Sequence, residues 1–366
     1  MSQTKETSIL TIEPTDHPTP ADKRKAMMAN PGFGTTFSDH MVVIHYSEEK
    51  GWHNGRVMAR QPLPLDPAAS VLHYAQEIFE GMKAYRSPEN EILLFRPEEN
   101  ARRFRHSAEV MAMEPIPEEI FLDAVHKLVD IDRDWVPDGE VGSLYIRPFQ
   151  IASQPFLGVK PAKEYIFAII ACTVGSYFKD ATKGVPIWVS ENHVRAVPGG
   201  TGTAKCGGNY AASLTAQAEG YAHGCAQVVF LDAIERRWIE ELGGMNVFFV
   251  MNDKTLITPP LKGTILHGIT RKSIIALARD KGYTVLEQPY SLDQWREDAK
   301  SGKLLEAFAC GTAAVITSIG KVCDTHGDFE IGENGANNPV ANELRESLIN
   351  LQYGRAEDPY GWVKRV

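Results

Sequence analysis

Gly199-Gly200-Thr201-Gly202-Thr203-Ala204-Lys205-Cys206-Gly207-Gly208-Asn209-Tyr210 sets one lysine in a glycine cradle, with no other charge in the run. Glycines at this density let a backbone bend sharply and come close to a ligand, at an entropic cost that ordinary loops avoid. A lysine without close like-charged neighbours is open to desolvation, which exposes a neutral, nucleophilic amine. Such an amine condenses with a carbonyl as a Schiff base, and pyridoxal phosphate is the commonest cofactor of that kind. Nucleotide-binding alternatives fail on spacing. A P-loop needs Gly directly before the lysine and Ser or Thr after it, whereas Ala204 and Cys206 stand there. A G-x-G-x-x-G pattern begun at Gly200 would put its third glycine on Lys205 itself. From this run alone, a surface loop with a solvated lysine remains the plain alternative.

Beyond this run, the 366 residues are enough for two domains. Apolar residues make up 43% and charged residues 23%, which excludes wholesale disorder. The formal charge of −9 argues against nucleic acid or an anionic membrane as main partner. Cys172, Cys206, Cys225, Cys310 and Cys323 are odd in number and never C-x-x-C spaced. They fit reduced thiols in a cytoplasmic protein rather than a disulfide framework or a zinc site. The Thr-, Pro- and charge-rich start lacks the apolar core of a signal peptide. The run Tyr165 to Val174 is far too short for a membrane span and reads as a buried strand.

Residues 1–30 read as a loosely held arm, 31–176 as a smaller α/β domain, 177–185 as a linker and 186–366 as a larger, ligand-binding domain. Expected strands include 40–46, 82–86, 92–96, 144–151, 165–174, 185–189, 226–232, 238–242, 247–251, 304–309 and 313–319. Helices are expected at 97–113, 117–134, 209–219, 268–281 and 341–351. Pro97 and Pro117 open the first two. The class is therefore mixed α and β (α+β).

Pyridoxal phosphate needs four partners besides the lysine. An acid must keep the pyridine nitrogen protonated so that the ring can draw in electrons. Glu240 and Glu241 are the candidates, and on a strand they point to opposite faces. A donor to the phenolic oxygen could come from Tyr210, five residues past Lys205. A phosphate cup could form where His267-Gly268-Ile269-Thr270 opens a helix, with Thr312 and an arginine adding to it. Arg103 shares a helix face with Asn100 and Ser107, whereas Arg102 and Arg105 read as solvated. An apolar substrate pocket with a cation could draw on Phe33, Tyr74, Phe79, Tyr145, Arg147 and Tyr177. Asp130-Ile131-Asp132-Arg133-Asp134 begins like a calcium loop, but Trp135 and Val141 occupy its glycine and glutamate positions.

A longer set of words gives these residues a common source. It includes Phe37-Ser38-Asp39-His40-Met41, Leu72-His73-Tyr74, Phe79-Glu80-Gly81-Met82-Lys83-Ala84 and Phe95-Arg96-Pro97. It continues with Ser143-Leu144-Tyr145-Ile146-Arg147-Pro148, Gly207-Gly208-Asn209-Tyr210, Glu241-Leu242-Gly243-Gly244-Met245-Asn246, Thr258-Pro259-Pro260-Leu261 and Gly311-Thr312-Ala313. From about Phe33 to Trp362 the chain resembles the branched-chain amino acid aminotransferases, two-domain pyridoxal-phosphate enzymes of fold type IV with the cofactor between the domains.

The resemblance implies that Lys205 is the Schiff-base lysine and Glu241, not Glu240, the partner of the ring nitrogen. It implies Tyr210 beside the phenolic oxygen, and a phosphate shell of Arg103, the Ile269 and Thr270 amides and Thr312. Phe33, Phe79, Tyr145 and Tyr177 would meet the substrate side chain, and Arg147 the distal carboxylate of glutamate. Gly244 and the Ala313 amide would meet the α-carboxylate. Tyr74, with Leu157 and Val159, would be lent across a homodimer interface. Two departures stand out. Mammalian members carry a redox C-x-x-C where this chain has Ala314 and Thr317, and some members have Thr in place of Gly244.

The implied activity is amino transfer from L-leucine, L-isoleucine or L-valine to 2-oxoglutarate, giving branched-chain 2-oxo acids and L-glutamate. D-amino acid aminotransferase and aminodeoxychorismate lyase are the alternatives within the fold. A non-catalytic module binding a phosphate ligand is the alternative outside enzymes, but it leaves Lys205 and Glu241 idle.

Overall fold

The computed structural model describes residues 8–139, 142–175 and 184–366. The chain divides into two units, Met1–Gly175 with Gln352–Val366, and Ser176–Leu351. Each is built on one sheet of nine strands among the described residues.

In the first unit, Thr36–Ser47 is β-branched and apolar and pairs antiparallel with both Gly51–Ala59 and Glu164–Val174. Glu164–Val174 is almost continuously apolar because it lies inside the sheet with both faces covered. Ser143–Ala152 follows, then Met82–Arg86 and Ile92–Phe95. The helices Pro97–Val110 and Glu118–Ile131 pack on each other and over this sheet. Phe104, Phe121 and Phe167 join helices to sheet, with ring centroids 5.2 to 5.8 Å apart. Glu77–Phe79 pairs with Ser143–Ala152 and brings Phe79 and Glu80 to the middle of the unit.

The second unit centres on Asn246–Met251 and Leu304–Gly311, antiparallel neighbours buried along most of their length. Val315–Cys323, Val185–Ser190, Gln227–Leu231 and Ile239–Leu242 extend the sheet on one side. Trp295 from the helix Leu292–Ser301 seals its core against Phe249 and Phe329. The helix Ile269–Asp280 packs on Leu304–Gly311.

Three expectations need correcting. The arm is not loosely held from Leu10 onward. Leu10–Ile12 runs parallel to Gly51–Ala59, the Thr15 amide donates to Nε2 of His40, and Thr19 is held by Asp39. Threonine-rich segments read as mobile, but here their polar groups are tied to buried His40 and half-buried Asp39. The helix expected at 209–219 is two helices, Gly207–Ala211 and Leu214–Ala222. The last residues, assigned to the larger domain, return to the first unit, where Val363–Arg365 pairs with Ile92–Phe95. Tyr177 and most of the expected linker lie outside the described residues. No helix among the described residues is long and apolar enough to cross a membrane.

Candidate active site

In the second unit, the glycine cradle is a locked loop. Gly199 takes φ +78°, a value that side-chain-bearing residues rarely adopt. Asn209 then clamps the loop: its Nδ2 donates to the carbonyls of Thr201 at 2.8 Å and Ala204 at 2.9 Å, and its Oδ1 accepts from the Thr201 hydroxyl. The helix Gly207–Ala211 starts just past Lys205 and turns Tyr210 back toward it. Nζ of Lys205 donates to Oη of Tyr210 at 2.7 Å.

Strand alternation separates the two acids of Ile239–Leu242 as expected, with Glu241 only 2% exposed and Glu240 half-buried. Oε1 of Glu241 accepts from the Leu266 amide at 2.9 Å and pairs with the Arg195 guanidinium at 2.8 Å. Its Oε2 receives a longer contact, 3.4 Å, from Nδ2 of Asn246. Burial pushes the Glu241 carboxyl up to about 7, against the pull of Arg195, the Leu266 amide and Lys205. Glu240 adds a smaller upward push.

The expected anion site is the start of Ile269–Asp280, where the N-cap is Gly268, which has no side chain to cap the first amides. Such amides favour a bound anion. Glycine leaves space there for Asn246, since an added Cβ would sit 2.0 Å from its Oδ1 and displace that side chain. Asn246 also donates to the Leu266 carbonyl, so one side chain braces both the acid and the approach to the helix. Gly311, next to Thr312, faces the Gly244–Met245 turn, and Gly244 faces the ring of Tyr210.

These groups fit pyridoxal phosphate. An amine beside a phenol suits the aldehyde and its neighbouring oxygen, and the helix start suits the phosphate. Glu241 carries the test of fit. It is a buried carboxyl with two close partners on one oxygen and a 3.4 Å contact on the other, and an acid so placed suits a cationic N–H donor.

In the first unit, Arg103 is held in a two-pronged pair by Glu80, with Nε at 2.6 Å and Nη2 at 2.9 Å. Glu80 is fully buried and also accepts from Asn100 and the Gly81 amide. Arg102 and Arg105 are half-exposed and pair with surface glutamates. Phe33, Tyr145, Arg147 and Phe79 converge: Phe33 lies 5.4 Å from the Tyr145 ring, and the Arg147 guanidinium lies 4.7 Å over Phe79. Nη2 of Arg147 donates to Oη of Tyr145 at 2.9 Å. Gly81 makes room for that hydroxyl, since a Cβ there would lie 2.1 Å from it. Tyr74, Leu157 and Val159 form an exposed apolar group, with the Tyr74 hydroxyl donating to the Leu157 carbonyl.

Sequence reasoning missed Arg195, Asn246, Asn209 and Glu80 as supports. Asn209, Glu80 and Asn246 lay inside quoted words, but their side-chain direction is a tertiary fact. Arg195 stands alone between Val194 and Ala196. A lone arginine among apolar neighbours, ten residues before the lysine, was the available signal.

The family model for Amino-transferase class IV matches residues 77–322. A probable branched-chain-amino-acid aminotransferase of Streptomyces coelicolor is 51% identical over 358 residues, covering 98% of each chain. The solved branched-chain amino acid aminotransferase of Escherichia coli superposes with a TM-score of 0.75 at 28% identity, covering 89% of this chain and 98% of that one. A second solved branched-chain amino acid aminotransferase, from T.th. and carrying pyridoxamine 5'-phosphate, gives 0.73 at 29% identity, covering 88% and 97%. With a locked lysine, its phenol and a buried acid all in the second unit, and relatives matched along nearly their whole length, this chain belongs to the branched-chain-amino-acid aminotransferases of class IV.

Proposed function

We propose that this chain moves the amino group of L-leucine, L-isoleucine and L-valine to 2-oxoglutarate with pyridoxal 5'-phosphate, acting as a cytoplasmic homodimer. The observation that carries the reading is the 2.7 Å contact between Nζ of Lys205 and Oη of Tyr210, in the same unit as the buried acid Glu241. Lys205, Tyr210, Glu241, Arg103, Ile269, Thr270 and Thr312 are the residues that would hold the cofactor. When bound, the cofactor supplies an electron-withdrawing ring that stabilises negative charge at the substrate Cα.

The chain's own residues do the rest. Nζ of Lys205 is the base that takes the Cα proton and later returns one. The Tyr210 hydroxyl, already bonded to Nζ, orients that amine. Glu241 would keep the ring nitrogen of the bound cofactor protonated. Phe33, Phe79 and Tyr145, with Tyr177, exclude water from the substrate side chain. Gly244 and Ala313 offer backbone to the α-carboxylate. Tyr74, Leu157 and Val159 are exposed and apolar, which supports their burial against a second copy. The inter-domain linker is proposed to be 177–185.

The second substrate is a dianion in an otherwise apolar pocket, and Arg147 is the cation assigned to its distal carboxylate. Arg147→Met should raise KM for 2-oxoglutarate by about 10- to 100-fold, the worth of one charged hydrogen bond. The kcat/KM for leucine should change only a few-fold. Equal losses for both substrates would remove Arg147 from this role.

The reading as a whole is tested by colour and turnover. Protein incubated with the cofactor should turn yellow and lose that absorbance with borohydride. A donor panel should rank the three branched-chain L-amino acids far above D-alanine and aminodeoxychorismate. Turnover of D-alanine alone would overturn it.

A further inference from the structure

Arg195 is almost entirely buried, with its side chain and that of Glu241 each 2% exposed. Its Nη1 lies 2.8 Å from Oε1 of Glu241 and donates to the Thr264 carbonyl at 3.1 Å. Its Nε is buried and makes no hydrogen bond among the described residues. An arginine placed so deeply needs a carboxylate, because an unpaired buried guanidinium is strongly unfavourable.

The other side of the clamp is equally fixed. The Thr264 hydroxyl donates to Glu240, the acid on the opposite strand face. Gly202, in the lysine loop, lets the Thr264 backbone come close. A Cβ there would lie 2.5 Å from the Thr264 carbonyl oxygen and 2.8 Å from the Ala196 side chain. Arg195 is therefore wedged between the strand that carries both acids and the segment that leads to Gly268.

We propose that Arg195 is a positioning residue of this active site: held against the Thr264 carbonyl, its guanidinium favours the carboxylate form of Glu241 and fixes its direction toward the ring nitrogen of the cofactor. The inference rests on the proposed function but goes beyond it, because it concerns a residue outside those assigned to hold the cofactor or the substrate.

The charged and titratable groups around Glu241 are Arg195, Lys205, Glu240 and Cys310. Burial drives the carboxyl toward its neutral form, and Arg195 is the largest opposing influence. Without it burial would push Glu241 further toward its neutral form, and a neutral acid holds a pyridinium poorly. Glu240 is a poor substitute because its carboxylate is already engaged by Thr264.

The test is a double-mutant cycle read by cofactor binding rather than by rate. Arg195→Met should weaken the equilibrium affinity for pyridoxal phosphate by about 10- to 100-fold. It should also shift the pH titration of the bound cofactor's absorbance. In a Glu241→Gln background the same change should have little effect, since no carboxylate remains to keep ionised. Arg195→Lys, which keeps the charge, should recover part of the affinity. An equal loss in both backgrounds means that Arg195 serves the fold alone and overturns the proposal, as does no loss in the native background.

If Arg195→Met does not fold, the same cycle is run with Arg195→Lys, whose point charge does not span both the carbonyl and the carboxylate. A cofactor-free readout separates this proposal from the functional reading. The pH window over which Glu241 ionisation lowers stability should move upward in the arginine variant. An unmoved window overturns the proposal even in a protein that fails to bind the cofactor.

Discussion

Lys205→Ala should abolish turnover, lowering kcat by about 10⁴-fold or more. General base catalysis alone contributes ~10²–10⁴, and this amine also anchors the cofactor covalently, so the two losses compound. The fold should survive. The glycine loop is held by Asn209 through Thr201 and Ala204, and Tyr210 loses the hydrogen bond from Nζ. The measurement is steady-state kinetics with leucine and 2-oxoglutarate, paired with circular dichroism and borohydride trapping. The variant should be colourless to trapping while its spectrum of secondary structure is unchanged. Retained transamination would strip Lys205 of its role and leave the family assignment without a mechanism.

Glu241→Gln should be the second large effect, with kcat down by about 10²- to 10³-fold, the loss typical of one preorganised electrostatic partner. Glutamine keeps the shape, and its amide oxygen can still accept from the Leu266 amide and the Arg195 guanidinium, although the buried guanidinium loses its counter-charge. What it lacks is the negative charge that holds a proton on the ring nitrogen.

The same substitution makes a pH prediction on the cofactor-free protein. The Glu241 carboxyl stands at about 7 when folded against an ordinary 4.5. Between those values the unfolded chain has released its proton while the folded chain keeps it. The folded state then binds more protons, so stability falls as pH rises. The contribution is whole below 4.5 and is lost by about 7. Glutamine does not titrate. The native protein should therefore lose stability relative to Glu241→Gln as pH climbs through that window, in paired urea melts, with a flat difference above it. Adding the cofactor should reverse the order, because a cationic ring nitrogen offsets the burial of the carboxylate. A difference that stays level across the whole window would show that burial does not govern this acid.

Much of the fold was legible because burial leaves a periodic record. The run at 165–174 had to be an interior strand, and Pro97 had to open a helix, since each follows from residue chemistry alone. The strands Leu10–Ile12 and Val363–Arg365 were not legible. They are three residues long, sit at sheet edges, and depend on partners far along the chain. The site shows the same division. Lys205 and Glu241 stand in words whose composition is unusual for any loop or strand. Arg195 and Asn246 do their work by direction and distance, and neither quantity is written in local composition. Arg103 was legible as an inward-facing cation, but its grip by Glu80 was not, because 23 positions separate the two.

The return of the C-terminal residues to the first sheet carries a consequence for biogenesis. The Arg96 amide donates to the Trp362 carbonyl, and the Arg96 guanidinium lies 4.5 Å over the Trp362 ring. Tyr85 meets Tyr353 edge-on. During vectorial synthesis the second unit, through Leu351, emerges whole while the first still waits for its closing strand. Until the ribosome releases position 365, the Ile92–Phe95 margin stays open as a template for foreign strands. A nascent chain stalled late is thus more prone to aggregate than one stalled before that margin is made.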